Sequence, residues 1–152
     1  MKLLRIARAH WEVLAICDQR GECQVLSFLE ELNGPESVAA ESMLAILTGT
    51  VPRYGPPKGE PLCKSLGDGV YEFRRQPKGK KLRVLWFYGG AAVIVCTAAF
   101  KKAERTPRVQ LDRARFLCKQ YWIARSRGEL EILDLKEGAD EPRKIPAVPG
   151  SR

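Results

Sequence analysis

The sequence predicts an α+β fold: an N-terminal strand, a helical hairpin, a small antiparallel sheet and a C-terminal helix. Three observations carry this. Apolar residues between positions 25 and 47 recur at helical spacing. Residues 70–100 break into three strand-like runs divided by Gly- and Pro-containing turns. A second helical stripe then follows Thr106-Pro107. At 152 residues, 45% hydrophobic and 29% charged, the chain suits one domain with its own core. Helices on one side of the sheet are expected.

Taken in order, Ala9–Asp18 alternates loosely and is partly β-branched, so it reads as the first strand, closed by the turn Asp18-Gln19-Arg20-Gly21. Val25, Leu26, Phe28, Leu29 and Leu32 share a helical face, and Asn33-Gly34 stops it. Pro35-Glu36-Ser37 opens a second helix, with Val38, Met43, Leu44 and Leu47 as its apolar side and an end near Gly49. Val51–Leu62, with four prolines and two glycines, reads as a loop, and Gly67-Asp68-Gly69 as a turn. Val70–Arg75 is a strand with Tyr71 and Phe73 on one face and Glu72 and Arg74 on the other. Residues 77–81 make a hairpin loop, Leu82–Tyr88 the return strand, Gly89-Gly90 a tight turn and Ala91–Phe100 an apolar third strand. In the run Trp86-Phe87-Tyr88, Phe87 shares the face of Arg83; core packing is expected, with base stacking on Phe87 or Tyr88 as the other reading. Thr106 reads as an N-cap and Pro107 as the first helical position; Leu111, Ala114, Leu117, Cys118 and Tyr121 form the apolar stripe, and Gly128 ends the helix. Leu130–Leu135 suits a short extra strand, and residues 138–152 a flexible tail.

The net charge of +8 is concentrated in one block. Residues 1–61 and 128–152 are each net −2, whereas residues 62–127 hold 16 basic and 4 acidic residues; between Arg74 and Lys102 stand eight cations and no acid. Such segregation suggests a polyanion-facing surface, against the alternative of a solvated cationic face. Pairing of the three strands brings Arg74, Arg83 and Lys101-Lys102 to one sheet end, where converging cations would bind phosphate through charge-assisted hydrogen bonds. Loop and flanking cations Arg75, Lys78, Lys80, Lys81, Arg105 and Arg108 are candidate polyanion contacts. One histidine, His10, stands before the first strand and argues against His-rich zinc sites. Five cysteines without a CxxC pair make a poor disulfide framework, and Cys96 and Cys118 read as small buried hydrophobes in a reducing compartment. No metal or cofactor is expected. Met1–Ile6 is too short and charged for a signal peptide, and no apolar run reaches the ~18 residues of a membrane span. A soluble cytoplasmic protein is expected.

Leu66-Gly-Asp-Gly-Val-Tyr-Glu-Phe-Arg74, then Arg83-Val-Leu-Trp-Phe87, then Phe100-Lys-Lys102 with Thr106-Pro107, resemble in order and spacing the RelE/ParE toxin superfamily, and most closely its HigB-like, phage-derived branch. The segments Trp11-Glu12-Val13 and Phe28–Leu32 are also similar, so the resemblance spans roughly residues 9–122. It implies a RelE-like fold and a type II toxin–antitoxin toxin, with a toxin domain over residues 1–128 and an acidic, Pro-containing, partly flexible extension over 129–152. Toxins of the RelE and HigB branches cut mRNA in the ribosomal A site by attack of the 2′-hydroxyl on the adjacent phosphate. ParE-type toxins inhibit DNA gyrase, which is the alternative, along with a non-catalytic basic RNA-binding module.

The resemblance also assigns positions. Arg74 matches an RNA-contacting cation. Arg83 matches the phosphate-stabilising arginine. Lys102, and less directly Lys101, matches the basic position held to stabilise the transition state or protonate the leaving group. Glu72 falls where a lysine is common, so the general base stays open between Glu72 and a lysine with a depressed pKa. Ribosome-imposed geometry can supply much of the rate, so little cleavage of free RNA is expected. The implied partners are the ribosome, mRNA and an acidic or amphipathic antitoxin, a helix-turn-helix protein from the adjacent gene. The stretch Glu129–Glu141 either folds over the basic face or is inert.

Overall fold

The computed structural model describes residues 1–75, 81–102 and 105–135. The chain opens with a hairpin, β1 (Lys2–Arg8) antiparallel to β2 (Glu12–Ile16). Helices α1 (Gln24–Glu31) and α2 (Pro35–Ala45) form the expected helical pair. The backbone then runs on through π-helical Ile46–Thr50 into a short α3 (Val51–Tyr54). Four antiparallel strands follow: β3 (Cys63–Gly67), β4 (Val70–Arg75), β5 (Leu82–Gly90) and β6 (Val93–Lys101). Helix α4 (Arg108–Ser126) and β7 (Glu131–Asp134) complete the described chain.

All seven strands join one sheet in the order β3-β4-β5-β6-β2-β1-β7. β2 runs parallel to β6 and β7 parallel to β1, so the sheet is mixed rather than purely antiparallel. Helices cover both faces, not one. On the first face Val25, Leu26, Leu29, Met43 and Leu47 pack on Val13, Phe73, Val84 and Trp86. On the second, α4 sets Tyr121 against Leu14, Phe87 and Val95, and Ala114 against Val70, Leu85 and Phe100. Alternation along β5 explains the division: Val84 and Trp86 face α1–α2, while Arg83, Leu85 and Phe87 face α4. With both faces covered, β5 and β6 read as near-continuous apolar runs. Full burial of Trp86 and Phe87 contributes about 2–3 kcal/mol each and fixes both as core residues. Tyr88 stays 37% exposed in an aromatic cluster with Trp11, Tyr71 and Trp86.

Several local expectations are corrected. β1 is an extra strand, hidden by Lys2, Arg5 and Arg8; Lys2 and Arg5 bond their charged ends outward, Lys2 to the Gln19 carbonyl and Arg5 to Glu12 and Asp134. The first predicted strand shortens to Glu12–Ile16, and β3 is a further strand that the sequence does not predict, since Cys63–Gly67 lacks alternation. The expected loop over 51–62 begins as helix, since Pro52 sits in the first turn of α3, where its missing amide is harmless. Asp68-Gly69 is the β3–β4 hairpin turn, with positive φ at both positions as a type I′ turn requires. Gly89-Gly90 is strand, not turn; the turn is Ala91-Ala92. Gly89 serves close approach instead. Its carbonyl accepts from the Tyr121 hydroxyl at 2.8 Å, and a Cβ there would stand 2.8 Å from Val95 Cγ2. The expected hairpin loop over 77–81 lies outside the described residues except for Lys81, as does the tail from 136 onward.

Candidate functional site

The site is built where β4 ends, β5 begins and β6 ends. Antiparallel register sets Arg74 opposite Arg83 and Arg83 opposite Phe100, and the Lys102 amide donates to the Lys81 carbonyl at 2.8 Å. Strand alternation then turns Glu72, Arg74 and Arg83 to the α4 face. Glu72 is fully buried and forms the hub. Its Oε1 lies 3.3 Å from Arg74 Nε, 3.5 Å from Arg83 Nε and 3.8 Å from Lys102 Nζ. Its Oε2 accepts a 2.5 Å hydrogen bond from the Thr106 hydroxyl.

Thr106 is therefore not the helix cap read from the sequence. Pro107 occupies the cap position, makes no side-chain cap bond, and the helix starts at Arg108. The threonine hydroxyl is drawn to a buried carboxylate because an unpaired charge in the interior costs far more than a missing cap.

One carboxylate stands against three cations, and the surplus positive charge sits where two clefts reach the sheet end. The first, about 540 Å³, is lined by Val38, Ser42, Glu60, Pro61, Leu62, Arg74 and Arg75. The second, about 180 Å³, has Lys81, Lys101 and Lys102 among its walls. The side chains of Arg74 and Lys102 are 16% and 10% exposed, whereas Arg83 is 1% exposed and donates through Nη1 to the Leu82 carbonyl. Burial holds the Lys102 ammonium below its ordinary pKa; Glu72 opposes this, and Arg83, Arg74 and Lys64 add to it. Burial likewise lowers Arg83, against the pull of Glu72.

The remaining sequence-predicted residues separate. Lys101 turns to the other face and pairs with Glu36 of α2 at 3.0 Å. Arg75 lines the larger cleft. Arg105 is exposed, and Arg108 is exposed and pairs with Asp112 at 3.8 Å. Lys78 and Lys80 lie outside the described residues. Sequence reasoning missed Glu60, which meets Arg74 Nη1 at 3.4 Å, and Gln24. The Gln24 amide clamps the Ala99 backbone with bonds of 2.8 and 2.9 Å and so steadies the strand end that carries Lys102. A polar residue at the first position of a helix otherwise apolar inward was the one available signal. Leu130–Leu135 pairs as β7 at the sheet edge opposite β3, away from this cluster.

Among the described residues no helix is long and apolar enough to cross a membrane, and no cluster of three His, Cys, Asp or Glu is placed to hold a metal. The sequence model of one family, described as Phage derived protein Gp49-like (DUF891), matches residues 30–119, more than half of the chain. That span contains Glu72, Arg74, Arg83, Lys102 and Thr106. No curated protein matches the chain.

Proposed function

The chain belongs to the phage-derived Gp49-like family, a toxin–antitoxin-associated family related to RelE- and HigB-type toxins, and on that premise we propose that it is a HigB-like toxin cutting mRNA on the ribosome. The observation that supports this reading is the convergence of Arg74, Arg83 and Lys102 on buried Glu72. A carboxylate with no exposed surface cannot reach a substrate, so Glu72 acts as a positioning residue rather than as the general base. It fixes the cations before substrate arrives, which is electrostatic preorganisation.

In this reading the RNA backbone lies over the sheet end, with a flanking base in the cleft beside Arg75. Arg74 holds the non-bridging oxygens of the scissile phosphate. The 2′-hydroxyl attacks phosphorus, the bond to the 5′-oxygen breaks, and Lys102 Nζ protonates that leaving oxygen. A lysine whose pKa is lowered is the better proton donor. Arg83, too buried to touch RNA, holds Glu72. The ribosome supplies in-line geometry and the means of activating the 2′-hydroxyl. Regulated expression followed by 5′-end mapping of cellular mRNA tests this: new 5′ ends within translated regions are expected. Growth arrest with intact mRNA would overturn the nuclease reading and favour gyrase inhibition.

The antitoxin surface follows from α4. Val109, Phe116 and Ile123 recur every seven residues and are 76%, 59% and 45% exposed, amid Arg108, Arg113, Lys119 and Arg127. An apolar stripe with a cationic rim suits an acidic amphipathic helix and disfavours a second copy of itself. Phe116→Glu with Ile123→Glu is expected to leave toxicity intact and abolish neutralisation by the neighbouring gene product. Unchanged neutralisation would move the antitoxin off α4.

A further inference from the structure

Two cysteines outside this machinery face one another. Cys17 directly follows β2, Cys23 directly precedes α1, and the two form an isolated antiparallel bridge. A tight loop holds them there: the Asp18 carboxylate accepts from the Arg20 and Glu22 amides, both at 2.9 Å, and the Gly21 amide donates to the Asp18 carbonyl. The Asp18 amide bonds the Glu22 carbonyl at the adjoining rung, so the cysteines are a non-hydrogen-bonded pair. Such pairs bring Cα atoms to about 4.5 Å, within the ~4.4–6.8 Å that a disulfide spans.

Chemistry distinguishes this pair from the other thiols. Cys63 is pushed up to about 11 and Cys96 to about 12 by burial, and burial raises Cys118 as well. Cys23 alone is lowered. The facing Cys17 favours the thiolate at Cys23, and the Leu26 and Val25 amides at the start of α1 add to this, which outweighs burial. Cys17, whose thiol donates to the Ala15 carbonyl at 3.9 Å, is raised in turn by its Cys23 neighbour and by burial. Both side chains belong to the core on the α1–α2 face, Cys17 9% and Cys23 6% exposed, so the pair admits only a small oxidant such as hydrogen peroxide.

We propose that Cys17 and Cys23 are an oxidation site, at which a peroxide converts the facing thiols into a reversible intramolecular disulfide. The Cys23 sulfur attacks one peroxide oxygen, the O–O bond breaks, and the departing hydroxide leaves as water with the proton Cys23 gave up. The Cys17 sulfur then attacks the resulting sulfenic acid at Cys23. The S–S bond forms, the S–O bond breaks, and a second water leaves with the Cys17 proton. Two thiols lose two electrons to one peroxide, and a dithiol reductant reverses the change. In a reducing compartment the pair rests as thiols, consistent with a cysteine pattern that is no structural framework.

The full-length chain, reduced and freed of reductant, is treated with equimolar hydrogen peroxide and its intact mass measured. A loss of about 2 Da, restored by dithiothreitol, is expected. Trypsin cuts after Arg20, between the two cysteines, so a linked peptide pair identifies the bond. Cys17→Ala should lose the disulfide and leave a Cys23 sulfenic acid that dimedone captures, while Cys118→Ser should behave as the parent. An unchanged parent mass, a bond mapped to Cys63, Cys96 or Cys118, or a parent that stops at sulfenic acid would each overturn the proposal. The parent readout stands even if Cys17→Ala fails to fold.

Discussion

Glu72→Gln is expected to lower stability by about 3–5 kcal/mol, the usual cost of removing one member of a buried ion pair. The side chain is fully buried and keeps its shape in the variant. Arg74, Arg83 and Lys102, all within 4 Å of its carboxylate, would then repel one another with only the exposed Glu60 left beside Arg74. Urea unfolding measures the loss as a fall in midpoint at constant slope. Total stabilities run about 5–15 kcal/mol, so the variant could leave little folded protein. Glu72→Asp retains the charge at shorter reach and should lose less. If Gln costs under ~1 kcal/mol, solvent screens the cluster and Glu72 is no hub. The same logic revises what the sequence suggested for Arg83. With 1% exposure, Arg83→Ala removes a buried partner of Glu72, so loss of toxicity in that variant would report lost stability as much as lost chemistry.

Arg74→Ala and Lys102→Ala should do the reverse. Each removes one of three mutually repelling cations from the rim of the cluster, so the fold is retained. Each is expected to reduce ribosome-dependent cleavage about 10²–10³-fold, the scale of losing one preorganised electrostatic group. Toxicity on induction and a ribosome-loaded cleavage assay read this out, with unfolding curves as control. Retained toxicity in both would remove the site assignment. Lys102 adds a pH signature. Cleavage needs its protonated form, and its pKa is held below 10.5, so activity falls as pH rises through that lowered value, beginning earlier than for an ordinary lysine. Lys102→Arg keeps the charge but cannot shed a proton in this range. Its alkaline limb should vanish along with most of the rate; an unchanged limb would place the titrating acid elsewhere.

Legibility in the sequence followed how local the physics was. β4, β5, β6 and α4 were readable because alternation, turn residues and a helical stripe are all short-range signals. β1 was not, because three charged side chains broke its pattern and only partners distant in sequence, Gln19 and Asp134, explain where two of them go. Gly89-Gly90 resembled a turn because two glycines usually are one. Only the close approach of Val95 and Tyr121 shows why Gly89 lacks a Cβ.

The site divides the same way. Sequence by itself determined the α+β class, the segregated charge and the meeting of Arg74 with Arg83, because antiparallel pairing follows from the turn between two strands. It ranked Lys102 above Lys101 by resemblance alone, with no physical partner to tell them apart. Tertiary structure gives one to Glu36 and the other to Glu72. Nor could it turn Glu72 from a candidate base into a clamp, or Thr106 from a cap into its hydrogen-bond donor. Both outcomes depend on how completely α4 and the sheet exclude water from one carboxylate. Desolvation is a property of everything packed around a group, and no local window of sequence contains it.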